Sequence, residues 1–101
     1  MKVKNGILRG SLKVKGGKLI KCMIKLKEGK IKEIKISGDF FMHPEEKIEG
    51  LEKALKGVEF EKESIEEKLN EILRDVELVG IDKEDFINVI FSASPVNSNF
   101  S

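Results

Sequence analysis

Cys22, Asp39, His43 and the run Lys15-Gly16-Gly17-Lys18 are the positions whose side chains could do chemistry. A sulfur carrier or cysteine nucleophile needs an accessible thiolate. Cys22 instead alternates with Ile20 and Ile24, the setting of a structural thiol. With one cysteine and one histidine in the chain, neither an internal disulfide nor a metal cluster can be assembled. Glycines between lysines let backbone N–H groups approach an anion, so Lys15, Gly17 and Lys18 are candidates for an anion-facing turn. The run lacks the spacing of a nucleotide-binding loop and precedes a strand, so a hairpin turn is the competing reading. Asp39, as a single carboxylate, is a poor magnesium site and suits a turn or cap. His43, directly before Pro44, reads as an exposed or capping residue.

The segment Ile36-Ser-Gly-Asp-Phe-Phe-Met-His-Pro44 offers contact rather than catalysis. Two of the chain's six phenylalanines are adjacent there. Neighbours in extended backbone point to opposite sides, so one can enter a core while the other is left outside. Exposed aromatics are enriched at protein interfaces. Gly38, Asp39, Phe40 and Phe41 are therefore the candidate interface corner.

The elements that would position these residues follow from periodicity. Residues 7–14, 19–27 and 30–37 read as three strands. Ile20, Cys22, Ile24 and Leu26 alternate with Lys21, Met23, Lys25 and Lys27, the pattern of a half-buried strand. Glu28-Gly29 suits a tight hairpin, and Ile31 breaks the alternation, as a residue at a bulge or covering an edge would. The expected product is an antiparallel meander with one wet, lysine-coated face. A helical period then takes over: Ile48, Leu51, Ala54 and Leu55 share a stripe after Pro44, and Gly57 ends it. Gly50 within that helix suggests close packing against the sheet. Ser64-Ile-Glu-Glu67 matches a capping box opening a second helix. Val76–Val79 reads as a short strand or turn, and residues 82–85 as the cap of a third helix carrying Phe86, Val89 and Ile90 inward. The fold class is α+β, with a three-stranded antiparallel sheet followed by about three helices. Residues 1–91 form one domain and 92–101 a flexible tail.

The chain's 101 residues have a formal charge of +1, although 37% are charged. The charge is segregated: residues 2–35 hold Glu28 and Glu33 as their acids among many lysines, whereas 45–71 is glutamate-rich and reads as solvated helix faces. The Lys/Glu bias resembles that of thermophile proteins. A balanced total argues against nucleic acid as the main ligand. No apolar run approaches the ~18 residues of a membrane span, so a soluble, cytoplasmic protein is expected.

Four segments in order, Lys15–Lys18, Gly29-Lys-Ile31, Gly38-Asp-Phe-Phe41 and Pro44-Glu-Glu46, followed by Leu51-x-x-Ala-Leu-x-Gly57 and Val79-Gly-Ile81, resemble the accessory C-terminal domain of lipoate–protein ligases. The resemblance spans roughly residues 11–91. It implies a SufE/NifU-like α+β arrangement and the separate-subunit form that many archaea use, which the chain's start at Met1 also suggests. It further implies a non-catalytic accessory subunit, inactive alone, working with a large catalytic subunit. That pair would activate lipoate to lipoyl-AMP with ATP and Mg2+ and lipoylate an acceptor, an E2 or glycine-cleavage H protein. No cofactor is expected on this chain alone, since nothing in it matches the family's adenylate-binding residues or catalytic lysine. The alternatives are an iron–sulfur or sulfur-transfer scaffold, which needs about three thiolate ligands or an accessible one, and a generic interaction module.

Overall fold

The computed structural model describes residues 5–95, except for the side chain of Lys15. Strands β1 (Gly6–Lys13), β2 (Leu19–Lys27) and β3 (Lys30–Gly38) form the expected antiparallel meander. The β2–β3 hairpin turns on Glu28 and Gly29, both at positive φ (54° and 79°), which matches the twist of the flanking strands. The register shifts opposite Lys25 and Leu26, so that Ile31 returns to the dry side at 1% exposure. The break in alternation at Ile31 is thus a bulge.

After β3 the chain forms a three-residue strand, β4 (Phe41–His43), then helices α1 (Lys47–Leu55) and α2 (Lys62–Ile72). A second short strand, β5 (Glu77–Val79), pairs antiparallel with β4. Helix α3 (Lys83–Ser92) and a two-residue strand, β6 (Ser94–Pro95), complete the described chain. β6 adds to β1, giving the sheet order β3-β2-β1-β6. The sheet therefore has four strands rather than three, and the molecule carries a separate two-stranded ribbon. α3 runs to Ser92 and β6 follows, so residues 92–95 of the expected tail belong to the fold; residues 96–101 lie outside the described residues.

All three helices sit on one face of the sheet. α1 packs on β3, α3 on β1 and β2, and α2 lies against both α1 and α3. The core is aliphatic: Ile20, Ile24, Leu51, Leu55, Ile65, Leu69 and Ile90 are each at 0% exposure, with Phe86 as its fully buried ring. Gly10 makes the approach of α3 possible. A Cβ there would stand 2.8 Å from the Val89 carbonyl oxygen and 3.0 Å from the Ala93 Cα. The Cys22 thiol occupies the same notch and donates to the Val89 carbonyl at 3.5 Å. The outer edge of β3 is closed by α1, whose Glu52 accepts the Ile36 N–H at 2.9 Å. That cap blunts an edge that could pair with another chain.

Two expectations are corrected. α2 starts at Lys62 with Glu61 before it, so Ser64 lies inside the helix and caps nothing. The reason is upstream: Ile31 donates to the Val58 carbonyl and Phe60 to the Gly29 carbonyl, both at 2.9 Å. The helix begins as soon as that ladder releases the chain. Gly50 is exposed, and nothing lies within 4 Å of a Cβ built on it, so close packing does not explain it. By contrast, Asp82 and Asp85 do form a reciprocal capping box at the start of α3.

These two glycines predict opposite outcomes. Gly50→Ala should stabilise the protein by about 0.5–1 kcal/mol in urea unfolding, since a helical site with free space gains from alanine. Gly10→Ala should destabilise by about 1–3 kcal/mol, because its Cβ meets the backbone of α3.

Candidate interaction site

The corner after β3 is built by a steric constraint. Asp39 N–H donates to the Leu19 carbonyl at 2.8 Å, and the Asp39 carboxylate accepts the Leu19 N–H at 3.4 Å. This places Gly38 against β2 so closely that a Cβ would fall 2.4 Å from the Leu19 oxygen. No other residue fits there without moving backbone. Asp39 is thus a turn residue that prolongs the β2–β3 pairing.

Beyond it the two phenylalanines part as their adjacency requires. Phe40 turns inward and meets Phe86 edge to face, with ring centroids 5.5 Å apart and an interplanar angle of 89°. Phe41 turns outward and is 62% exposed. It stands opposite Val79, itself 44% exposed, in the β4–β5 ribbon. An open concavity of about 300 Å³ lies beside Phe41, lined by Ser37, Phe40, Met42 and Ile48 among others.

The sequence expectation missed Val79 as Phe41's partner. The one available signal was the brief apolar segment at 76–79, too short to show a period.

Lys15 and Gly17 lie in a single helical turn that joins β1 to β2, closed by the Gly17 N–H on the Val14 carbonyl at 3.0 Å and the Val14 N–H on the Lys18 carbonyl at 2.8 Å. This is the hairpin reading. Lys18 leaves it toward the corner: a Cβ at Gly80 would stand 3.2 Å from Lys18 Cδ and 3.5 Å from the Asp39 carbonyl oxygen. Lys18, Asp39 and the Gly80 turn are therefore brought together next to the ribbon. The structure unites Gly38, Asp39, Phe40, Phe41 and Lys18 at one end of the sheet.

Among the described residues no group of three or more His, Cys, Asp or Glu could hold a metal ion. Cys22 is 5% exposed. Burial pushes its thiol up to about 11, against a smaller opposing effect of a hydrogen bond from the Gly10 backbone. A thiol so placed is a poor nucleophile and cluster ligand at neutral pH.

Residues 8–90 match the family described as the bacterial lipoate protein ligase C-terminus. The chain belongs to that family. It is 43% identical over 77 residues to the lipoate-protein ligase A subunit 2 of Thermoplasma acidophilum, an alignment covering 71% of this chain and 76% of that one. Its fold superposes with a TM-score of 0.76 and 35% identity on a chain solved in a study of an archaeal lipoylation system. That system comprises a bi-partite lipoate protein ligase and its E2 lipoyl domain from the same organism. The superposition covers 83% of this chain and 93% of the solved one. The family match thus takes in the meander from Leu8 onward, the ribbon and α3 as far as Ile90, including every residue of the corner.

Two measurements check the site. Phe40→Ala should lower stability by about 2–3 kcal/mol through loss of the contact with Phe86, whereas Phe41→Ala should leave the melting temperature unchanged. The Cys22 thiol should react with a disulfide reagent at pH 8 at least about 100-fold more slowly in the native protein than in urea, given a two-unit rise in pKa. Because the folded thiol holds its proton more tightly than the unfolded one, its contribution to stability is complete below pH 9 and is lost as the pH rises toward 11.

Proposed function

We propose that this chain is the non-catalytic accessory subunit of a two-component lipoate–protein ligase, docking on a large catalytic subunit through the Phe41–Val79 edge. The observation that carries the docking assignment is Phe41 itself: a phenylalanine 62% exposed, on a ribbon held rigidly by the Gly38–Leu19 contact, in a family defined as the C-terminal part of these ligases. Exposed aromatic residues backed by a fixed scaffold are the usual anchors of subunit contacts.

The reaction proposed for the assembly has two steps. The lipoate carboxylate attacks the α-phosphorus of ATP, forming the acyl–phosphate bond of lipoyl-AMP and releasing pyrophosphate. The ε-amine of an acceptor lysine then attacks the acyl carbon, forming the amide and releasing AMP. The acceptor is the lipoyl domain of an E2, or a glycine-cleavage H protein, and the setting is the cytoplasm.

Lipoate, ATP and Mg2+ are assigned to the complex and not to this chain alone. What this chain supplies is a docked surface. A mixed anhydride hydrolyses unless water is kept from it, and a rigid domain seated beside the catalytic cleft orders the loops that close over it.

Lipoyl-AMP formation by the catalytic subunit should rise at least about ten-fold when this chain is added. Phe41→Asp, with an unchanged melting curve, should lose both that stimulation and co-elution of the subunits. Equal adenylate formation with and without the chain would refute the assignment.

A further inference from the structure

The sheet face opposite the helices has no role in the assembly described above. Register fixes its rows. Arg9, Met23 and Lys35 stand side by side across β1, β2 and β3, and Ser11, Lys21 and Ser37 form the next row. All but the half-buried Met23 are exposed. The two rows line an open concavity of about 410 Å³. In the row beyond, Glu33 is paired with Lys25 at 3.5 Å. Arg9, Lys21 and Lys35 have no ion-pair partner among the described residues. Three cations and two hydroxyls thus surround a methionine, and none of the three cations is held in an ion pair among the described residues.

The two exposed surfaces differ in kind. The Phe41–Val79 edge is apolar, as long-lived subunit contacts are. A charged, open face steers encounter and releases readily, which suits a partner that must arrive and leave in every turnover. In a lipoate ligase that partner is the acceptor.

We propose that the Arg9–Lys21–Lys35 face docks an acidic surface of the acceptor domain that receives the lipoyl group. The proposal rests on the ligase reading. Lysine and arginine donate to carboxylates, and Met23 supplies an adaptable apolar contact at the centre. A basic sheet can also take RNA, but sheets that do so stack bases on aromatic side chains, and no aromatic stands in these two rows. The chain's own glutamate-rich helices are a third acidic surface, and docking them here would join copies head to tail.

The test uses the full chain, the catalytic subunit and the unlipoylated E2 lipoyl domain as probe. The Lys21→Glu/Lys35→Glu pair should raise the KM for the lipoyl domain about ten-fold or more. Lys21→Arg/Lys35→Arg should keep it near wild type. Lipoyl-AMP formation without acceptor, and co-elution with the catalytic subunit, should persist in both. The wild-type KM should climb between about 50 and 300 mM salt, and that of the reversal pair should not. Should the double reversal fail to fold by circular dichroism, Lys35→Glu alone carries the comparison. An unchanged KM overturns the docking face and leaves the ligase reading intact. If the wild-type chain supports no adenylation, the ligase reading fails. A titration of the isotope-labelled chain with the lipoyl domain, followed at the amides of 21–23 and 35–37, then decides the face by itself. Shifts there that require RNA, or that grow with the chain's own concentration, with none from the lipoyl domain, also overturn it.

Discussion

The alternation of β2 governs this molecule. As the central strand of the meander it bonds to both β1 and β3, so its side chains decide which side of the sheet is dry. Ile20, Ile24 and Leu26 with Cys22 face one way, and Lys21, Met23, Lys25 and Lys27 the other. A one-residue slip would exchange the two sets, so the register is strongly held. The helices can cover only the aliphatic side, and the opposite side stays open and cationic. The near-zero net charge therefore conceals a strong polarity, with lysines on the sheet and glutamates on the helices.

A second constraint acts where β3 ends. Because Gly38 presses on the Leu19 carbonyl, the chain leaves the sheet in a fixed direction, and Phe40 and Phe41 are committed to opposite sides. Phe40 enters the core against Phe86. Phe41 is carried onto the β4–β5 ribbon beside Val79. A rigid scaffold thus presents an exposed aromatic at modest entropic cost, the requirement for an anchor. The same corner brings Lys18 alongside Gly80, so the β1–β2 turn lies next to the ribbon.

Much of this was legible in the residues, because it depended on local periodicity. The three long strands, the break in alternation at Ile31, the helical stripe through Leu51 and Leu55 and the inward face of α3 all followed from spacing; that the break is a bulge is decided by the pairing with β2. So did the split between Phe40 and Phe41, though not the identity of each. What escaped was non-local or very short. β4 has three residues and shows no period, and although residues 76–79 read as a short strand or turn, the pairing of β5 with β4 across two helices is non-local. β6 is two residues long and exists through β1. Ser64-x-x-Glu67 had the right letters for a cap, but the bridge from β3 to Glu59 had already set where α2 begins. Gly50 looked like a packing residue, yet open space lies where its Cβ would stand. The aliphatic pattern also kept Cys22 out of chemistry, and the notch beneath Val89 supplies the geometric reason.

Amide hydrogen exchange on this chain, free and bound to the catalytic subunit, tests most directly whether it acts by seating its apolar edge on a partner. Added protection at 38–43 and 77–80, with 21–25 and 33–37 exchanging as in the free protein, is the predicted result. Protection centred on the sheet face, or none anywhere, would contradict the account.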